Sequence, residues 1–384
     1  MKLIHISDLH IGKRVNEFSM LEDQNHILHE IMRITDDIKP DGIIMAGDIY
    51  DKSVPGGEAV EILDDFLTEL ASRKVQLFIV SGNHDSPERL NFGSRIMQKS
   101  GVHIAGTFSG GLKKISICDE FGPVNVYLLP FIKPAMVGAY FPDKGIESYE
   151  DAAQAVIDAT SLDKNERNIL VAHQFITSGG QQPERCESET LAIGGMDNID
   201  ASVFESFDYV ALGHLHGPQS IGRNTVRYAG SPLKYSFSET RHHKSVTVLE
   251  LWEKGNLDIQ TIPLIPLRDM REIKGPIDEL LRIGASLNET SKDYVHTIIT
   301  DEGEVYDAIG QLRQIYPNIM HISFENSRNK QDIQSKTAAS GDVAHKDPME
   351  LFCEFFLNQN NREMTEEQHR IMKEIFEQAG GAIK

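Results

Sequence analysis

The chain has 384 residues, a formal net charge of −20, 40% hydrophobic residues and 25% charged residues, a make-up that fits a soluble globular protein with two or three domains rather than one core. No apolar stretch reaches the roughly 18 residues of a membrane span; His5, Ser7, Asp8 and His10 interrupt the first apolar run before it resembles a signal segment. Cys118, Cys186 and Cys353 are scattered without CxxC spacing, which argues against a disulfide framework or thiolate zinc site and points to a reducing cytoplasm.

Along the first two-thirds, short continuously apolar runs at 3–6, 43–46, 77–80, 126–129, 169–172 and 209–212 read as strands buried on both faces. Helical patterns lie between them. Ile27, Leu28, Ile31 and Ile34 share one face, and Ile62, Leu63, Phe66, Leu67 and Leu70 form another stripe within 58–72. This alternation predicts a layered α/β domain over 1–262. The character changes at Pro263 and Pro266. Residues 263–325 read as a smaller α+β unit, with strands at 295–300 and 319–324 and a helix at 305–315. Residues 326–346 are polar and nearly free of large apolar groups, the composition of a linker. Over 347–384 the pattern is helical again. Asp347-Pro348 suits a helix start, followed by a stripe of Leu351, Phe352, Phe355 and Phe356; Thr365 and Gln368 have capping-box spacing before Ile371, Met372, Ile375 and Phe376. Two short helices beyond a linker must bury these faces against their own domain or against a partner's helices.

Polar residues cluster where the strands end. Asp8 and His10 follow the first run, Asp48 the second, and Asn83, His84 and Asp85 the third; His173 follows the run at 169–172, and His214 and His216 the run at 209–212. Ligands in open α/β sheets collect at the carboxyl ends of strands. Oxygen and imidazole donors suit borderline divalent cations such as Mn²⁺, Fe²⁺ or Zn²⁺. Asp8, His10, Asp48, Asn83, His173, His214 and His216 are too many ligands for one ion, but they suit a pair sharing a carboxylate. A lone histidine, such as His5, His103 or His296, is more often structural, and a lone aspartate after a strand is usually a turn or cap residue. The joint set in this order is a different matter.

These residues carry a pattern that resembles the calcineurin-like metallophosphoesterase family: Asp-x-His, Gly-Asp, Gly-Asn-His-Asp, His, and Gly-His-x-His, spread over roughly 1–220. The opening Ile6-Ser7-Asp8-Leu9-His10-Ile11-Gly12, the later Gly213-His214-Leu215-His216-Gly217 and Tyr228-Ala229-Gly230-Ser231-Pro232, and the tail Asp347-Pro348-Met349-Glu350-Leu351-Phe352 are similar to the SbcD-type branch of DNA-repair nucleases. The resemblance implies an α/β layered metallophosphoesterase fold, two β-sheets flanked by helices, with a small α+β capping domain and C-terminal helices. It also implies hydrolysis of DNA phosphodiester bonds, as double-strand exonuclease and single-strand or hairpin endonuclease, in repair, recombination and replication. The cofactors it implies are two divalent ions, with Mn²⁺ favoured over Mg²⁺, Fe²⁺ or Zn²⁺. Asp8, His10, Asp48 and His216 would hold one ion and Asp48, Asn83, His173 and His214 the other, while His84 matches the catalytic histidine. Where some relatives carry a histidine three positions after the bridging aspartate, this chain has Asp51, which takes no role.

The partners implied are DNA and a coiled-coil ATPase of the SbcC type, within a heterotetramer built on a homodimer, and no membrane. The terminal residues Leu351, Phe352, Phe355, Phe356, Ile371 and Ile375 would bind the ATPase. That partner would supply the energy, since the chain lacks a Gly-x-x-x-x-Gly-Lys-Ser/Thr loop. It would also supply the basic clamp that so acidic a chain lacks. Within the chain, Arg223, Arg227, Lys234, Arg241 and Lys244 stand against one acid, Glu239, between 223 and 244; with Lys13 and Arg14 they are candidates to follow a phosphate backbone, or they form a solvated rim. Two alternatives use the same motifs differently: a small-molecule or nucleotide metallophosphatase, and a DNA-binding scaffold with a decayed metal site. The first leaves the capping domain and apolar tail unexplained, and the intact ligand set opposes the second.

Overall fold

The structure is a computed structural model that describes residues 1–189, 198–286, 292–303 and 305–325, together with 352, 353, 356, 357, 364, 365, 367–372 and 375. Its principal strands begin with β1 (Lys2–Ile6), β2 (Gly42–Ala46), β3 (Gln76–Val80) and β4 (Val102–Ala105), which are mutually parallel. Helix α1 (Leu21–Ile38) connects β1 to β2, and α2 (Gly57–Ser72) connects β2 to β3. The chain then builds a second sheet from β5 (Lys113–Asp119), β6 (Gly122–Leu129), β7 (Arg167–His173), β8 (Tyr209–Gly213), β9 (Gln219–Ile221) and β10 (Arg223–Tyr228), with α3 (Tyr149–Asp158) before β7. It returns to the first sheet through the antiparallel strands β11 (Ser245–Leu251) and β12 (Leu257–Pro263). The sheet orders are β12-β11-β1-β2-β3-β4 and β9-β10-β8-β7-β6-β5.

Strand alternation explains why the apolar runs are continuous. Leu3, Ile44, Phe78, Val126, Val171 and Ala211 pack in the layer between the two sheets. Their neighbours Ile4, Ile43, Met45, Leu77 and Ile79 face α1 and α2 instead, while Tyr127, Leu170, Val210 and Leu212 face α3. Side chains on a strand point alternately to opposite faces, so a strand between two apolar layers needs apolar residues at every position. The expected face of α1 is the buried one, Ile27, Leu28, Ile31 and Ile34. Helix α3 starts at a capping box in which Ser148 and Asp151 satisfy each other's backbone N–H groups.

After β12, strands β13 (Met270–Gly275), β14 (Tyr294–Ile299) and β15 (Ile319–Phe324) form a small parallel sheet. The crossovers α4 (Ile277–Ala285) and α5 (Ala308–Arg313) close a separate core of Ile277, Leu280, Val295, Ile299, Leu312 and Tyr316. The helix expected at 305–315 is shorter because Asp307 caps it, its side chain accepting from the Gly310 N–H. This unit is tied to α1 through buried Asp23, which accepts Tyr294 Oη–H at 2.6 Å and Arg268 Nε–H at 3.1 Å.

In the tail, residues 367–372 are helical, Phe352 and Phe356 are half-buried, and Ile371 and Ile375 are exposed. Leu351, Phe355 and residues 326–346 lie outside the described residues. Among the described residues no helix is long and apolar enough to cross a membrane.

Candidate metal centre

The parallel strands β1, β2 and β3 in one sheet and β7 and β8 in the other deliver their carboxyl ends to one edge of the sandwich. His173 Nδ1–H donates to the Ala46 carbonyl at 2.8 Å, so the ends of β7 and β2 meet across the two sheets. The turns that follow are forced. Asp8, His10, Asp48 and His214 all have positive φ, at 53°, 45°, 49° and 106°. For residues with a Cβ this conformation costs roughly 1–3 kcal/mol each and persists only where the surroundings over-determine it. Two glycines make the convergence possible. A Cβ at Gly82 would stand 2.0 Å from Asp48 Oδ1, and one at Gly213 would stand 1.9 Å from the Ala46 carbonyl oxygen.

The donor atoms crowd together. Ligand atoms of Asp8, His10 and His216 lie within 4.8 Å of one another, as do those of Asp8, Asp48 and His173, and those of His10, Asp48 and His84. Asp48 is the common member of the last two sets: its Oδ2 is 3.4 Å from His173 Nε2 and 3.6 Å from His10 Nε2. Asn83 Oδ1 lies 3.1 Å from His173 Nε2 and 3.0 Å from His214 Nδ1. His10 and His216 bring their Nε2 atoms to 3.1 Å. Asp8 Oδ1 accepts the His214 backbone N–H at 3.0 Å, and Asp8 Oδ2 accepts Ser7 Oγ–H at 2.5 Å. His84 is the more open member, 23% exposed. Its Nδ1–H donates to the Asp51 carbonyl at 2.9 Å, and its Nε2 stands 4.0 Å from Asp48 Oδ2.

The tautomers follow from the outer partners. Because His173 Nδ1 carries the proton given to Ala46, the neutral ring presents a lone pair at Nε2, toward the oxygens of Asp48 and Asn83. His216 Nδ1–H donates to Ser188 Oγ at 2.8 Å, and Ser188 passes its own proton to Glu239 Oε1 at 2.6 Å, so His216 Nε2 likewise presents a lone pair inward. Acceptors facing acceptors in a buried site are a cradle for cations. Sequence reasoning does not reach these supports. Glu239 is fully buried and also takes Lys244 Nζ–H at 2.6 Å, while Glu189 Oε1 accepts the His216 backbone N–H at 2.7 Å. Asp51, which takes no role in the sequence reading, holds His84 through its carbonyl and stands 3.6 Å from His10 Nδ1 through its carboxylate. The Ser-x-x-Glu spacing from Ser236 to Glu239 is the local trace that the buried glutamate leaves in the sequence.

Electrostatically the cluster is strained. Burial pushes the Asp8 carboxyl up to about 6, with neighbouring histidines pulling the other way. Burial also acts to raise Asp48, but His173, His10 and His84 outweigh it and hold the carboxyl well below the usual range. For His173 the burial that would lower it is overcome by Asp48, and the ring rises to about 9. His214 falls to about 3 through burial and the charge of His173, and His10 is held well below its usual value by burial. Divalent charge placed among such groups relieves these conflicts together.

The single histidines set apart as structural have ordinary partners. His5 Nδ1 meets Tyr209 Oη at 3.0 Å, His103 Nε2 meets Gln76 Oε1 at 3.1 Å, and His296 Nδ1 meets Glu272 Oε2 at 3.1 Å.

The structure redistributes the basic candidates. Arg223 begins β10, whose far end pairs with the site-bearing end of β8, so it lies roughly 17 Å down the strand from the metal edge. Its guanidinium donates to the Phe204 and Phe207 carbonyls. Arg227 faces the first sheet and donates to Thr247 Oγ1 at 3.4 Å. Lys234 is paired with Asp269 at 2.8 Å, and Lys13 with Asp51 at 2.8 Å. Arg14 donates to the Glu17 carbonyl, and Arg241 is exposed. A run of cations in sequence is thus dispersed by the fold, because alternate strand positions face opposite layers.

The chain is similar to known proteins over most of its length. The family model for calcineurin-like phosphoesterases matches residues 1–218, and the model described as Type 5 capsule protein repressor C-terminal domain (SbcD_C) matches 266–360. The chain is 33% identical over 382 residues to the SbcD subunit of nuclease SbcCD from Staphylococcus epidermidis, covering 98% of each chain. It is 36% identical over 327 residues to the protein of the same name from Staphylococcus saprophyticus, covering 84% of each. Among solved structures, a dimetal phosphatase from Danio rerio is 13% identical and covers 69% of this chain and 99% of its own, at a TM-score of 0.41, too loose a likeness to carry an argument. The acid–imidazole cluster is a dinuclear divalent-metal site, and the chain belongs to the calcineurin-like phosphoesterases and, within them, to the SbcD family of metal-dependent nucleases.

Proposed function

We propose that the chain hydrolyses DNA phosphodiester bonds at this centre, acting on duplex ends as an exonuclease and on single strands or hairpins as an endonuclease. Manganese is the working ion. The observation that carries the reading is the central place of Asp48, which is common to two sets of converging donors. Asp8, His10, Asp48 and His216 would hold one ion, and Asp48, Asn83, His173 and His214 the other. When bound, the ions supply positive charge to the scissile phosphoryl group and acidify the attacking water.

The chain's own residues do the rest. Ser188 and Glu239 keep His216 in the tautomer that offers Nε2, and Ala46 does the same for His173. His84, with Nδ1–H anchored on the Asp51 carbonyl, holds Nε2 4.0 Å from Asp48 Oδ2. As an imidazolium it stabilises charge on the phosphoryl oxygens and protonates the leaving sugar oxygen. No covalent enzyme intermediate is needed.

The acidity of the chain, −20 overall, is reconciled with a DNA substrate if a coiled-coil ATPase of the SbcC type supplies the basic clamp. Exposed Ile371 and Ile375 and half-buried Phe352 and Phe356 are the described part of the surface offered to that partner; by sequence pattern alone Leu351 and Phe355 are its other candidate residues. Phe92 and Ile96, 85% and 76% exposed, are the apolar contact by which two copies of the chain pair within a heterotetramer. The assembly works in the cytoplasm.

The test is a manganese-loaded chain, with and without the ATPase, given a labelled duplex and, separately, a mononucleotide. Duplex cleavage that chelator abolishes and manganese restores is the expected result. Hydrolysis of the mononucleotide with the duplex left intact would make the chain a small-molecule phosphatase.

A further inference from the structure

We infer that Arg185 is a phosphate-binding residue beside the metal centre, which grips the nucleic-acid backbone next to the scissile bond; the inference rests on the nuclease reading. Its guanidinium lies over the Phe175 ring, with Cζ 3.9 Å from the ring centroid. Phe175 is itself buried and meets His214 edge-on, centroids 6.3 Å apart. Arg185 is therefore one aromatic ring away from a candidate metal ligand.

The loop that carries it is held from several directions. Glu184 N–H donates to Gln219 Oε1 at 2.9 Å, and Gln219 Nε2–H returns a bond to the Glu184 carbonyl at 2.9 Å. Cys186 N–H donates to Glu189 Oε2 at 2.9 Å, and Glu187 N–H to Ser238 Oγ at 3.0 Å. Ser188 is bonded to His216 and Glu239. The loop is thus fastened to His216, one of the histidines that would hold an ion.

Several cations of the metallophosphoesterase domain and its junction with the small sheet are neutralised by acids, whereas Arg185, like Arg241, has no such partner among the described residues. Lys13 is paired with Asp51, Lys234 with Asp269, Lys244 with Glu239 and Arg268 with Asp23. Arg185 is exposed, forms no ion pair among the described residues, and rests on the face of Phe175. A cation–π contact of this kind uses the charge of the guanidinium without consuming its N–H donors. A planar fork held in place, unneutralised and exposed beside a phosphoryl-transfer centre, fits the two oxygens of a backbone phosphate. The group contacted is the phosphate flanking the one being cut, so a small diester without a neighbouring phosphate does not use it.

The experiment compares wild type with Arg185→Gln and Arg185→Lys, each as the full chain loaded with manganese. The substrates are a labelled duplex at several salt concentrations and bis(p-nitrophenyl) phosphate. For Arg185→Gln the duplex KM should rise about tenfold, and the salt dependence of log KM should flatten by about one unit of slope. The ratio of duplex cleavage to small-diester hydrolysis should fall in parallel. Arg185→Lys should keep most of the salt slope and recover part of the ratio, because it keeps the charge without the fork. If wild type cuts the duplex while Arg185→Gln keeps both slope and ratio, or loses small-diester turnover in equal proportion, the assignment is overturned and the nuclease reading stands. A wild type that hydrolyses the small diester and never the duplex overturns both.

Discussion

At the scale of single residues, Asp48 and His84 stand next to each other and do different work. Asp48 is buried and its Oδ2 lies within reach of both His10 and His173. His84 is partly open and rests on a backbone carbonyl. Asp48→Ala is expected to lose both ions and all cleavage. His84→Ala should keep the wild-type metal content and lose turnover by roughly 10²–10⁴-fold, the usual contribution of a general acid. Metal analysis beside a cleavage assay checks both, and loss of metal in His84→Ala would move that residue into the ligand set. The left-handed conformations of Asp8, His10, Asp48 and His214 lie beyond what residue type reveals, because non-glycine residues enter that region only under constraint from elsewhere in the fold.

At the scale of elements, the strands buried on both faces are legible in the sequence and the half-exposed ones are not. Strand β12 alternates half-buried and exposed positions at the edge of the first sheet, so it carries no continuous apolar run. Strand β10, with two arginines, reads in the sequence only as a basic segment. Helix α3 has a full capping box from Ser148 to Asp151, a start signal that short apolar runs on either side overshadow. Helix α1 ends at Lys39 in the left-handed conformation, φ 52° and ψ 59°, its N–H bonded to the Thr35 carbonyl. Glycine is the residue least strained there. Lys39→Gly is therefore expected to stabilise the protein by about 1 kcal/mol, read as a rise in Tm with unchanged cleavage. A lower Tm would show that the lysine stem contributes more than the backbone strain costs.

At the scale of the whole molecule, the two sheets hold the metal edge from both sides, and the small parallel sheet is fastened to α1 by the Asp23, Tyr294 and Arg268 bonds. The exposed pair Phe92 and Ile96 gives the proposed homodimer a test. Phe92→Asp combined with Ile96→Asp should convert a dimer to a monomer in light scattering. A dimer that survives both changes would place the interface elsewhere. The layered α/β class, the family and the gathering of aspartates and histidines at the strand ends are all written in the order of residues, because glycine-flanked aspartates and histidines after buried apolar runs serve few other purposes. That order does not reveal that Ser188, Glu239 and Ala46 set the histidine tautomers, that Asp51 anchors His84, or that Arg223 and Arg227 turn away from the site while Arg185 lies over Phe175 beside His214. Those outcomes depend on which strand lies beside which and which face each side chain takes, and residues distant in the chain acquire these relations only when the two sheets close on each other.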